Sequence, residues 1–156
     1  MATSRDAAQG RTVDAGSMTD TTAPNVQLVN DVYTAFSRGD MDAVVDAMHP
    51  DIVWAEAEHS PWHAPGGHHG AKAVLANVFA RIPRYFDSFE VDPHCFHDAG
   101  ETVIVEGRYR ASAANALDPL DAQVCHVWTI RDSKLTAFRQ YTDTWQFAQV
   151  TGPPPA

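Results

Sequence analysis

Between residues 87 and 146 the sequence holds four β-type runs in close succession, roughly 87–97, 101–113, 120–130 and 135–146. They are separated by Asp98-Ala99-Gly100, by Asn115 to Pro119 and by Asp132-Ser133, which suit hairpin connections. Such a succession predicts an antiparallel meander, and a meander needs other elements to cover at least one of its faces. The first half of the chain supplies them. Val26, Val29, Val32, Tyr33 and Phe36 recur at helical spacing and Gly39 stops the run. Asp40 then stands at an N-cap position before Met41, Val44, Val45 and Met48, and His49-Pro50 ends this short second helix because a residue before proline avoids the helical region. Residues 51–57 form a β-type run with Ile52, Trp54 and Glu56 on one face and Val53, Ala55 and Ala57 on the other. Both faces are mostly apolar, so burial on both sides is expected. His59 to Gly70 contains two prolines and three glycines and reads as a loop. From Ala71 to Ile82 a third helix is expected, burying Val74, Leu75, Val78, Phe79 and Ile82 and closed by Pro83. The order predicts an α+β fold, with three N-terminal helices on one face of a curved antiparallel sheet.

The chain of 156 residues matches one domain, placed at 25–150, and its four Trp, four Tyr and seven Phe can line an apolar pocket. A net charge of −9 argues against a nucleic-acid or anionic-membrane partner, since both require a basic footprint. Residues 1–24 lack an apolar signal-peptide core and read as a disordered leader, and 151–156 read as a proline-rich tail. No window reaches transmembrane length. Cys95 and Cys125 each lie inside a strand-like run, which favours two buried thiols over a disulfide and a reducing cytoplasm as the compartment.

Several segments carry a family resemblance when taken in order. They are Arg38-Gly39-Asp40-Met41-Asp42-Ala43, His49 to Trp54, His69-Gly70-Ala71, Cys125-His126-Val127-Trp128 and Phe138-Arg139-Gln140-Tyr141-Thr142-Asp143. Over about residues 25–150 the chain resembles the NTF2-like superfamily, and within it the SnoaL-like polyketide cyclases and ketosteroid-isomerase-related proteins. The resemblance implies a conical fold in which the curved sheet and its helices enclose one deep pocket, and a homodimer through the outer sheet face. The superfamily spans isomerases, cyclases, epoxide hydrolases, dehydratases and proteins without catalysis, so the fold alone names no reaction.

Glu56 is the most informative candidate. Alternation puts it on the face of Ile52 and Trp54, where apolar surroundings would raise its pKa toward working pH, as proton abstraction beside a carbonyl requires. It also falls where the steroid isomerases place their general-base aspartate; the alternative is a solvated carboxylate at the rim. His126 lies mid-strand between Val124 and Trp128, at a position that resembles the isomerases' oxyanion-hole acid, and reads either as an oxyanion donor or as a core histidine. Asp143 closes an Arg-x-Tyr-x-Asp ending that resembles the one in which cyclases and epoxide hydrolases use the aspartate as acid or base; the alternative is an ion pair with Arg139 or Arg108. A tight turn at Asp132-Ser133 would pair His126 with Arg139 and put His126, Trp128, Tyr141 and Asp143 on one face. A one-residue bulge would instead turn Phe138, Gln140 and Thr142 inward. The sequence leaves both open.

Glu106 pairs with Arg108 or Arg110 near the surface or faces the ligand. Tyr33 lies near the pocket end of the first helix, although the isomerases' oxyanion tyrosine falls by count at Val32. Epoxide hydrolases carry an Arg-x-Asp pair where Cys125, His126 and Val127 stand here. Trp54, Trp62, Phe79 and Trp128 are expected as pocket walls, with Tyr141 beside them. The loop histidines 59, 63, 68 and 69 match no compact zinc spacing, so neither a metal nor another cofactor is expected. These readings point to a cofactor-independent acid–base enzyme, an isomerase, cyclase or related lyase or hydrolase, acting on a small hydrophobic carbonyl or polycyclic substrate. Catalysis would rest on Glu56, His126 and Asp143. The alternative is a non-catalytic binding or accessory module with the same pocket.

Overall fold

The computed structural model describes residues 23–113, 116 and 118–152. Of the leader expected at 1–24, residues 1–22 lie outside the described residues, as do 153–156 of the proline-rich tail, while Pro24 already begins a helix. Helix α1, Pro24–Ser37, starts on a proline, which needs no N–H partner there, and buries Val29, Val32 and Tyr33. Helix α2, Met41–Asp46, is capped by the Asp40 carboxylate, which accepts from the Ala43 N–H at 3.1 Å. Strand β1 runs from Met48 to Ala55, three residues earlier than expected, and takes in His49-Pro50. Pro50 is tolerated because the pairing of β1 is irregular between Met48 and Val53.

The loop that follows includes a two-residue strand, β2, His68–His69, paired antiparallel to β1. Helix α3, Ala71–Asn77, is shorter than expected and gives way to a 3-10 helix, Phe79–Arg84. The meander then runs through β3, Ser88–Ala99, β4, Thr102–Ser112, β5, Leu120–Arg131, and β6, Lys134–Thr142. A fourth helix, α4, Thr144–Thr151, begins inside the run expected as strand up to residue 146 and continues over residues to which no element was assigned.

The sheet corrects the expected architecture. Its six strands lie in the order β2-β1-β6-β5-β4-β3, with β2 and β3 as open edges, so it is not a curved sheet closed into a cone around the pocket. Nor is it purely antiparallel, since β1 runs parallel to β6. The reason is the long connection after β1: the first strand of the sequence pairs with the last one, and that return reverses no chain direction. One sheet face packs against the helices. Alternation along β5 shows it directly, with Leu120, Ala122, Val124, His126, Trp128 and Ile130 all buried and the residues between them partly or fully exposed. No helix among the described residues covers the outer face. Val53 is 37% exposed there, so β1 is not buried on both sides. No helix among the described residues is long and apolar enough to cross a membrane.

Candidate active site between helices and sheet

The cavity lies between the covered sheet face and the helices. Its walls include Tyr33 and Phe36 of α1, Trp54 and Glu56 of β1 and its end, Trp62 of the following loop, Phe79, Tyr109, His126, Trp128, Phe138 and Gln140. Its volume is about 50 Å³, enough for a few water molecules at roughly 10–15 Å³ each on this measure. Phe36, Phe79, Ile82, Phe89 and Val91 line it while keeping some exposure, which puts its mouth between the end of α1, the 3-10 helix and β3.

Glu56 is buried, with 6% of its surface exposed, because the period of two in β1 turns Ile52, Trp54 and Glu56 toward the helices. Trp54 donates its indole N–H to Glu56 Oε1 at 2.6 Å. The other carboxylate oxygen, Oε2, is buried without a partner. Burial is the main influence on this group and pushes its pKa up to about 7, opposed by the hydrogen bond from Trp54. Trp62 Nε1, on the cavity wall, is a buried donor that also lacks a partner.

His126 sits between two tyrosines. Its Nδ1 lies 2.6 Å from the Tyr33 hydroxyl and its Nε2 2.5 Å from the Tyr109 hydroxyl. Burial pushes its pKa down to about 3, so the ring is neutral and carries one N–H. Burial also raises both tyrosine pKa values, which keeps the hydroxyls protonated. Trp128 donates to the Tyr33 oxygen at 3.0 Å, and Gln140 donates to the Tyr109 oxygen at 2.8 Å while its own oxygen accepts from the Ala57 N–H at 3.2 Å. The hydrogens can be counted. Two hydroxyls and one imidazole N–H bring three hydrogens to two contacts with His126. One hydroxyl hydrogen is therefore surplus, and it belongs to whichever tyrosine accepts from the imidazole. Choice of tautomer decides which tyrosine offers it.

The structure brings Tyr33, Trp54, Glu56, Trp62, Phe79, His126 and Trp128 to one cavity. Three other candidates lie elsewhere. Asp143 caps α4, accepting from the Gln146 N–H at 3.3 Å and from its side chain at 2.9 Å, and those bonds lower its pKa. Glu106 is on the outer face, where it meets His97 at 3.0 Å and neither Arg108 nor Arg110. Tyr141, 54% exposed, is also on that face. The register explains these placements. Arg131 pairs with Lys134 across the tight turn, but a bulge at Thr136, opposite the step from Thr129 to Ile130, pairs His126 with Gln140, so Phe138 and Gln140 point inward and Tyr141 outward. Tyr109 was not among the sequence candidates, and Gln140 was expected to face inward only in the bulged alternative, which is the register found. Tyr109 could have been found, since it keeps step with Val103 and Val105; Gln140 depends on the bulge.

The loop histidines have a local use: the rings of His63, His68 and His69 bond the main-chain oxygens of Glu56, Trp62 and Gly66.

Residues 29–138 match the model of the SnoaL-like domain. The chain belongs to the SnoaL-like domain family. This SnoaL-like chain matches no curated protein in sequence. Among solved structures it is similar to an NTF2-like protein of Burkholderia thailandensis, at 32% identity and a TM-score of 0.77 over 85% of this chain and 100% of the other. It is also similar to an NTF2-like protein of unknown function from Burkholderia pseudomallei, at 27% identity and a TM-score of 0.76 over 83% and 98% of the two chains. A third similar structure is TerC co-crystallised with polyporic acid, at 25% identity and a TM-score of 0.73 over 83% and 98%.

Proposed function

We propose that this SnoaL-like protein is an acid–base enzyme that moves a proton beside a carbonyl group of a small, largely apolar substrate. The observation that carries this reading is the unpartnered, buried Oε2 of Glu56, facing the same cavity as a hydrogen-bond network with one hydroxyl hydrogen to spare. Glu56 as carboxylate takes a proton from the carbon next to the carbonyl. The C–H electron pair moves into the enolate, and the developing oxyanion accepts the surplus hydroxyl hydrogen of Tyr33 or Tyr109. Protonated Glu56 returns its proton to another carbon, which isomerises the substrate, or the enolate carbon attacks a second carbonyl and closes a ring, the C=O π electrons moving to oxygen and the resulting alkoxide taking the proton from Glu56. His126 stays neutral and acts by orienting the two tyrosines. Trp62 Nε1 offers a further donor to a substrate oxygen. Asp143, at its cap, takes no part in this mechanism.

Membership of the SnoaL-like family and the small molecule bound to TerC support the reading. The cavity bears on substrate size. At about 50 Å³ it is far below the roughly 300–1,000 Å³ of drug-sized pockets, so a polycyclic substrate would have to displace Phe36, Phe79 and Ile82. The same limit favours a second reading, a binding module that holds a small ligand without turnover.

The test is solvent deuterium exchange into small cyclic ketones and 1,3-diketones, followed by NMR. Wild type should catalyse exchange. Glu56→Gln should slow it by about 10²–10⁴-fold, the contribution of a positioned base, while Asp143→Asn should leave it unchanged. Binding of a ketone without exchange would establish the second reading instead.

A further inference from the structure

Glu106 has no part in the cavity, and its surroundings on the outer face point to a separate site. We propose that Cys95, His97 and Glu106 form a zinc-binding site on the outer face of β3 and β4, with water in the fourth position. The ligating atoms of these three exposed side chains all lie within 4.8 Å of one another. A thiolate sulfur, an imidazole nitrogen and a carboxylate oxygen are all ligands of tetrahedral Zn²⁺.

A bulge builds the arrangement. Before it, Glu90 and Asp92 face outward, opposite Arg110 and Arg108. Pro93 pairs with Gly107 and Cys95 with Glu106, so His94 is the extra residue and the outward face passes from even to odd positions. Phe96 consequently turns inward against Tyr33, and Cys95 and His97 turn out beside Glu106. Gly107 permits the close approach of the strands, because a Cβ there would lie 2.4 Å from the Asp92 carbonyl oxygen.

Charge around the cluster also suits a cation. The two arginines of the β4 outer face are engaged elsewhere, Arg108 with Asp121 at 2.6 Å and Arg110 with Asp92 at 2.5 Å. Glu106 is left to His97, whose Nε2 is 3.0 Å from its Oε2. A zinc ion held at about 2.3 Å from sulfur and about 2.0–2.2 Å from nitrogen and oxygen would replace the hydrogen shared by that pair. Binding would release the proton of the Cys95 thiol to solvent, and His97 would ligate through Nε2 with its N–H on Nδ1. A Cys-x-His pair whose third ligand is nine residues further on has no recognised zinc spacing, so only the strand register reveals it.

The test uses the full chain, stripped with EDTA and desalted, then titrated with Co²⁺ under reducing conditions. One Co²⁺ per chain should bind with a thiolate-to-cobalt charge-transfer band, and Zn²⁺ should displace it. Cys95→Ser should abolish the band. Glu106→Gln and His97→Gln should each weaken binding at least about tenfold, the loss seen even for outer-sphere partners. Cys125→Ser and His63→Ala should leave the band and the affinity unchanged. All these positions except the half-buried Cys125 are exposed, and a melting curve for each variant confirms that it folds. Absence of the band, its survival in Cys95→Ser, or its loss in Cys125→Ser would overturn the proposal.

Discussion

Glu56 and His126 share one low-polarity cavity, and burial moves their pKa values in opposite senses, up to about 7 for the acid and down to about 3 for the base. For Glu56 the folded state holds its proton more tightly than the unfolded chain. Stability is therefore lost as pH rises from the unfolded value of 4.5 through the folded value near 7. At about 1.4 kcal/mol per pH unit the loss reaches at most about 3 kcal/mol. His126 has the opposite sign: the unfolded chain takes up its proton near 6.5 while the folded protein does so only near 3, so stability falls as pH falls through that window. Between these limits the two slopes oppose each other. Glu56→Gln removes one of them. In urea unfolding, the stability of Glu56→Gln relative to wild type should rise from pH 4.5 to 7 and level off above it. A difference independent of pH would show that Glu56 ionises as freely as in water.

The elements were legible in the sequence to different degrees, for physical reasons. Helix α1 and the strands β4 and β5 carry strong periodicity, since each buries one face and exposes the other, and their bounds lie within a few residues of expectation. Glu56 and His126 inherit their inward direction from that alternation. Bulges were not legible. An extra residue in β6 reverses which of Gln140 and Tyr141 points inward, and one in β3 brings Cys95 out beside Glu106; neither leaves a pattern that a period of two can reveal. The first residues of helix α4 were read as strand, and the rest was given no element, because the apolar residues between Asp143 and Gly152 suit either period over so short a run. Asp143 is the start signal that was given a chemical role instead. Asp143→Ala should cost about 0.5–2 kcal/mol in thermal or urea unfolding, as loss of an N-cap does. A deuterium-exchange rate reduced as much as in Glu56→Gln would restore Asp143 to the chemistry.

At the scale of the whole molecule, an open sheet covered on one face leaves the other to be accounted for. Its β1, β6 and β5 half presents Val53, Ala55, Ala137, Val127 and Tyr141, of which Val53 and Tyr141 are 37% and 54% exposed. We propose that a second copy covers this half, and sedimentation equilibrium at micromolar concentration should give about twice the chain mass of 17.1 kDa. A mass near 17.1 kDa, unchanged in Val53→Asp, would contradict it. The covered face carries the proposed site. There Glu56 is buried beside Trp54 and Gln140 without closure of the sheet, and the proposed chemistry depends on that exclusion of water. The direct measurement is a carboxyl ¹³C NMR titration of the intact protein, with the Glu56 resonance assigned by its loss in Glu56→Gln. A midpoint near 7 is the result predicted for a buried base poised to take a proton at neutral pH. A midpoint near the ordinary 4.5 would contradict it.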